Sequence, residues 1–273
     1  MVTTIFLKRT VFFIAILLLL LAAACTKDTE SSYGVQPVVE SYLIPGRNAE
    51  VRVSLQKQLV DTNAYGTAIS GLSLQISDGT GAKMLTEDKP GHYILDDPSF
   101  VKSGGTYSLA FTYNNVQVTA STIMPSKPSG IRISDNTFTI PTMVFGTEPT
   151  VFDPVNITWN NTALDNHLLV FKCLENPKVL ISSRYNTDTI SSVEANVTTA
   201  ATFELNQRMF RYFGHYKVIL MHVNPEYVDM LNSSSTSSQN LTNAPTNVKN
   251  GLGIFTAMQT DTLSSNLLVK SEN

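Results

Sequence analysis

The chain has 273 residues, with 19 lysines and arginines against 22 aspartates and glutamates, and only 15% of it is charged. A nucleic-acid binder needs clustered positive charge, and no basic cluster occurs here, so that class is excluded. Two cysteines are too few for a disulfide scaffold.

The first element is an address. Lys8 and Arg9 precede an unbroken apolar run over residues 11–24, which ends in Ala22, Ala23, Ala24 and Cys25. The run fits the h-region of a signal peptide and is short for a spanning helix of about 20 residues. Ordinary secretory cleavage wants small residues but has no use for a cysteine. Lipoprotein processing does, because the thiol is acylated and becomes the new N-terminus. The stretch resembles the bacterial lipobox, with Ala22 where leucine is commoner. It implies residues 1–24 as a lipoprotein signal peptide, Cys25 as the lipidation site and 25–34 as a tether. Lys27 and Asp28, just after the cysteine, resemble the surface-export signal of Bacteroidota lipoproteins. That resemblance implies an outer-membrane protein, held by lipid and facing the cell exterior. If Cys25 carries lipid, Cys173 is left without an intrachain partner. Its alternation with apolar neighbours in LLVFKCLE makes it a buried strand residue.

Strand signals then recur at short spacing. PVVESYLI (37–44) stops at Pro45-Gly46, and AEVRVSLQ (49–56) alternates Val51, Val53 and Leu55 with Arg52, Ser54 and Gln56. Period two is the mark of a half-buried strand. LSLQIS (72–77) alternates likewise, KMLT and HYIL follow as strands about the Pro90-Gly91 turn, and GTYSLAFTY meets VQVTASTI across Asn114-Asn115 as a tight hairpin. This spacing predicts a β-sandwich over 35–124. Its Gly-His-Tyr and Gly-Thr-Tyr strands resemble transthyretin-like, carboxypeptidase-regulatory-like or immunoglobulin-like domains.

Pro125-Ser126-Lys127-Pro128 has the composition of a stiff linker, and a second β-rich domain is placed at 125–273. PVNITWNN (154–161) and HLLVFKCLE (167–175) resemble the core pair of a fibronectin-type sandwich, with Trp159 inside. Residues 203–223 contain the longest strand signal. Asn224, Pro225 and Glu226 then start a short helix reaching about Leu231. NVKNGLGIFTAMQ (247–259) reads as a closing strand whose glycines allow a bulge or a close backbone contact. The fold class is therefore all-β, two sandwich-like domains with one short helix.

Several constellations are weighed and set aside. Ser99-x-x-Lys102 and Ser134-Asp135-Asn136 match two motifs of penicillin-recognising enzymes, yet SFVKSGGTY reads as a turn between strands. Asp61-x-Asn63-x-x-Gly66 lacks the closing glutamate of a calcium loop. His92, His167, His215 and His222 show no metal-ligand spacing, and Asp96-Asp97-Pro98 reads as a solvated turn. No metal, no cofactor and no enzymatic activity is expected. The aromatic set Phe210, Tyr212, Phe213 and Tyr216 fits either a core or a ligand surface. Asp188-Thr189-Ile190 and Asp261-Thr262-Leu263 resemble Bacteroidota O-glycosylation acceptors, which implies modification at Thr189 and Thr262.

The lipobox, the N-terminal sandwich, Tyr227 on a helix after a long strand, and the terminal Asn247, Gly251, Leu252, Gly253, Phe255 pattern together resemble Bacteroidota lipoproteins catalogued as domain of unknown function 4249. The resemblance implies a TonB-dependent receptor as partner and brings no catalytic residues with it. The expected function is a non-catalytic accessory or ligand-capture lipoprotein, with loops 182–199 and 233–240 as contact surfaces. The alternative is a fimbrial or adhesin subunit matured by cleavage near Arg47 or Arg52, with a groove for a neighbour's strand.

Overall fold

The computed structural model describes residues 36–57, 65–141, 146, 148, 150–182, 191–234 and 245–272. Cys25, Lys27, Asp28, Thr189, the Asp61-Asn63 stretch and most of the polar loop after Ser234 lie outside the described residues.

In chain order the first strands are β1 (Pro37–Leu43), β2 (Ala49–Leu55), β3 (Gln75–Ser77), β4 (Ala82–Met84), β5 (Thr86–Lys89), β6 (His92–Leu95), β7 (Thr106–Tyr113) and β8 (Val116–Ile123). After the proline-bearing segment come β9 (Arg132–Ile133), β10 (Thr137–Ile140), β11 (Asn156–Thr158), β12 (His167–Cys173), β13 (Val179–Leu180), β14 (Ser192–Glu194), β15 (Thr202–Glu204) and β16 (Tyr212–Val223). Helix α1 (Pro225–Ser234) precedes β17 (Val248–Lys249), β18 (Leu252–Thr262) and β19 (Leu267–Ser271).

Two cores result. Strands β18, β1, β2, β6 and β5 form one layer, and β17, β8, β7, β3 and β4 the layer facing it. Between them lie Val39, Val51, Ile76, Tyr93, Tyr107 and Phe111, joined by Val248, Phe255 and Ala257 from the far end of the chain. The second core fills the space between β15–β11–β9 and a layer built on β16, whose neighbours include β12, β18 and β19. Ile157, Trp159, Phe171, Phe210, Tyr216 and Val218 are its centre.

Strand β18 belongs to both. Its first half, Leu252 to Ala257, runs parallel to Val38–Leu43 of β1, and its second half, Met258 to Thr262, runs antiparallel to β16. One strand thereby continues the sheet from one sandwich into the other, and Pro37–Asn273 forms a single compact unit. Residues 254–259 are buried on both faces. Phe255 and Ala257 face the first core, while α1 covers the other side through Glu226, whose carboxylate accepts from Thr256 Oγ1 (3.1 Å) and Thr122 Oγ1 (2.7 Å).

The β7–β8 hairpin turns on Asn114 (φ 48°) and Asn115 (φ 62°). Both residues are left-handed, as a two-residue turn that matches strand twist requires. Two expected single strands are each divided. KMLT ends at Leu85, where the chain leaves the β3 layer as β4 and enters the β6 layer as β5, an alternation with no turn residue to announce it. The closing strand likewise breaks at Asn250 (φ 60°), so β17 pairs with β8 and β18 with β1. The helix runs three residues past the expected end at Leu231.

Candidate ligand cleft

The alternation that buries Val39, Ser41 and Leu43 of β1 turns Glu40 and Tyr42 to the outer face of the sheet. On β2, burial of Val51 and Val53 leaves Glu50 and Arg52 outward, and on β6 burial of Tyr93 leaves His92 outward. The register places Glu40 beside Arg52, and Arg52 beside His92. Directly opposed side chains have Cβ atoms about 5 Å apart, so these three form a row across the sheet. Tyr42 is the next outward residue along β1, and α1 sets Tyr227 edge-on to it, with centroids 6.1 Å apart and planes at 84°. Tyr42 Oη donates to Met230 Sδ (3.7 Å).

Glu40, Tyr42, Glu50, Arg52, His92 and Tyr227, with Arg47 and Met258, line a cleft of ≈ 440 Å³, within the few hundred to a thousand Å³ of small-ligand sites. Its two walls differ. Tyr42, Ile44, Tyr227 and Met258 belong to a small apolar cluster between the sheet and α1. The other wall carries charge. Arg52 lies over the Tyr65 ring at 4.1 Å from its centroid. Neither Arg52 nor Arg47 forms an ion pair with any of the described residues. His92 is held from two sides, by Asp88 at Nδ1 (2.5 Å) and Glu50 at Nε2 (3.5 Å). The His92 hydrogen bond keeps the Asp88 carboxyl below the usual carboxylate range. Burial, and then the charge of Glu40, push the Tyr42 phenol above its ordinary value, and burial does the same to Tyr227. Both phenols therefore stay protonated at neutral pH. They offer the cleft flat, largely apolar faces.

Of the residues singled out in the sequence, Tyr227, His92, Arg47 and Arg52 line this cleft. The others in the terminal pattern dock β18. Gly253 has φ +95°, and a Cβ there would sit 2.0 Å from the Val39 carbonyl oxygen. At Gly251 a Cβ would meet the Pro37 carbonyl oxygen at 2.9 Å. The Asn247 amide copies a strand: Nδ2 donates to the Phe255 carbonyl (2.7 Å), and the Phe255 N–H donates to Oδ1 (3.0 Å). Asn247→Ala is expected to cost about 2 to 4 kcal/mol, because it leaves two backbone groups beside the core unpaired. Chemical denaturation of the variant against the parent measures this.

Thr262 ends β18 exposed, next to Asp261, which meets Lys127 at 3.6 Å. Of loop 182–199, β14 is described and pairs with β12; of loop 233–240, only the end of α1 is described. The aromatic set resolves as core, since Phe210, Tyr212 and Tyr216 are buried and Phe213 packs against them. Ser99 closes a turn on Asp97 Oδ1 (2.6 Å), and Lys102 N donates to Tyr107 Oη (2.6 Å). The Lys83 ammonium and Ser99 hydroxyl hold the Asp97 carboxyl at about 2. Among the described residues no group of histidines, cysteines and carboxylates is arranged to hold a metal ion.

Cross-strand register also makes a pair that spacing along the chain conceals. His167 of β12 faces His222 of β16, with rings stacked 5.0 Å apart. His167 Nδ1 donates to the Asp165 carbonyl (3.0 Å), the Trp159 ring lies tilted to it with centroids 5.9 Å apart, and His222 contacts the Ser126 carbonyl (2.9 Å). Burial, with His222 adding to it, lowers the His167 value below its ordinary 6.5. The unfolded chain then takes up a proton that the folded chain refuses, so the His167 contribution is complete above about pH 6.5 and is lost as pH falls below it. Unfolding free energy is expected to drop from pH 7 to 5 at up to about 1.4 kcal/mol per pH unit, and His167→Gln to flatten that slope. The carboxylates with lowered values, Asp97 and Glu175 among them, act only below about pH 5, outside this window.

The fold and the cleft define an all-β protein, two sandwiches fused through one shared strand, with a tyrosine-walled, charge-bearing cleft on the outer face of the joining sheet. The chain belongs to the family described as Domain of unknown function (DUF4249), whose model matches residues 26–264. No curated protein matches it.

Proposed function

We propose that this chain is an outer-membrane lipoprotein, anchored through Cys25 and facing the cell exterior, that captures a ligand without catalysis as the accessory partner of a TonB-dependent transporter. The cleft carries the reading: ≈ 440 Å³, with apolar tyrosines on one wall and, on the other, arginines unpaired among the described residues. The lipobox-like segment ahead of Cys25 supports the anchor, since two or more acyl chains at about 0.8 kcal/mol per methylene hold a protein stably at a membrane. Among the described residues no helix is long and apolar enough to cross a membrane. Tethering would raise the binder's local concentration beside its transporter to roughly millimolar, so modest contacts would suffice.

Affinity capture of the tagged, lipidated protein from detergent-solubilised outer membranes tests this. A large barrel protein is expected in comparable amount, and Cys25→Ser is expected to abolish both membrane recovery and the barrel. Recovery of the intact chain alone would remove the transporter from the reading, and a cleaved ladder of the chain itself would replace it with a polymerising subunit.

A further inference from the structure

The charged wall of the cleft holds two neighbours that ought to neutralise each other and do not. Glu40 and Arg52 are directly opposed across β1 and β2, a placement in which opposite charges ordinarily pair. No ion pair joins them; the Arg52 guanidinium sits over the Tyr65 ring, 4.1 Å from its centroid. Stacking occupies the face of a guanidinium and leaves its in-plane N–H fork available, and that fork matches a carboxylate with two parallel hydrogen bonds. Glu40 lines the cleft without an ion pair to any described residue, and its carboxylate, which hydrogen-bonds the Tyr42 side chain, raises that phenol. Arg47, in the turn between the same two strands, adds a second cation without a partner among the described residues. Beside this unspent pair lies the apolar wall of Tyr42, Tyr227 and Met258.

A cation and an anion side by side with no ion pair between them select among ligands. A neutral oligosaccharide would leave both charges unmatched. A simple anion would be drawn by Arg52 and repelled by Glu40 and Glu50. A zwitterion satisfies both sites, and an apolar group on it would cover the tyrosines. We propose that the cleft binds a short peptide by its free ends, the α-carboxylate on the Arg52 fork with Arg47 beside it, the α-ammonium on Glu40, and an apolar or aromatic side chain against Tyr42 and Tyr227. This rests on the ligand-capture reading and names its ligand class.

The test is titration calorimetry on the purified, full-length lipidated protein in detergent, with the tripeptide Ala-Phe-Ala as probe. Its C-terminal amide, its N-acetyl form and maltotriose serve as comparison ligands. The free tripeptide is expected to bind at least tenfold more tightly than either blocked form, and maltotriose not to bind. Arg52→Gln is expected to weaken the free peptide at least tenfold while leaving the amide unchanged. Glu40→Gln is expected to weaken the free peptide and leave the N-acetyl form unchanged. Both positions are outward on the sheet, and a thermal melt of each variant reports whether the fold is kept. Equal binding of free and blocked peptides, tighter binding of maltotriose, or no binding of any probe at millimolar concentration would overturn the assignment. If no probe binds while a barrel still co-purifies from membranes, the peptide class falls and capture beside a transporter stands. Peptide binding without a barrel does the reverse.

Discussion

Gly253→Val is expected to yield no stably folded protein, or one weakened by more than about 4 kcal/mol, the range reserved for a few severe mechanisms. Two of those mechanisms coincide at this residue. Its φ of +95° is one that side-chain-bearing residues rarely adopt, and a Cβ would lie 2.0 Å from the Val39 carbonyl oxygen. Backbone cannot swing aside as a lysine tip would. Relief would require β18 to move off β1, undoing six parallel pairings and exposing Phe255 and Ala257. Gly79→Ala separates the two causes. That glycine has φ +86° with open space around it, so only the conformational cost remains, about 1 to 2 kcal/mol. Soluble yield and thermal melts of the two variants make the comparison; equal small losses would show that β1 and β18 are not locked as described.

Phe171→Ala is expected to cost about 3 to 5 kcal/mol, the usual range for an aromatic removed from a core. Its ring is fully buried and meets Phe210 edge-on at 5.6 Å and Phe203 at 6.3 Å. Where the loss appears is the sharper expectation. Because β18 pairs with β1 of the first sandwich and with β16 of the second, unfolding the second should take the first with it. The single tryptophan, Trp159, sits in the second core, so its fluorescence follows that core while far-ultraviolet dichroism follows all the strands. The two signals are expected to fall together in the parent and in the variant. A variant in which fluorescence is lost well before the dichroism would show that the sandwiches unfold separately.

Period-two alternation made β1, β2, β7 and β8 legible in the sequence, since one solvated face and one buried face write themselves directly into residue order. The Asn-Asn turn was legible because few residue pairs accept two left-handed positions. The division of KMLT at Leu85 was not, as a change of sheet needs no turn residue when the chain continues extended. Nor was the path of β18: which strand lies beside which is a long-range fact, and Gly251 and Gly253 announced a close approach without naming Pro37 and Val39 as what is approached. The cleft shows the same division. Arg52 was visible as an outward position of its strand, but its union with Glu40 and His92 in one row depends on register across three strands. The His167–His222 stack escaped for the same reason.

The pairing of Val38 with Leu252 also dictates an order of assembly. When the first ninety or so residues of the fold have emerged, β1 has β2 on one side and nothing on the other, and the first core still lacks Val248, Phe255 and Ala257. The edge that β18 will occupy stays open until Leu252 and the residues after it arrive. Pairings between such distant segments form slowly, and an open edge invites the wrong partner while it waits. A chain cut short before Gly251 should therefore be sticky rather than merely shorter. Completion of the fold hangs on β18, which closes the sheet behind the cleft and joins its two halves in one step.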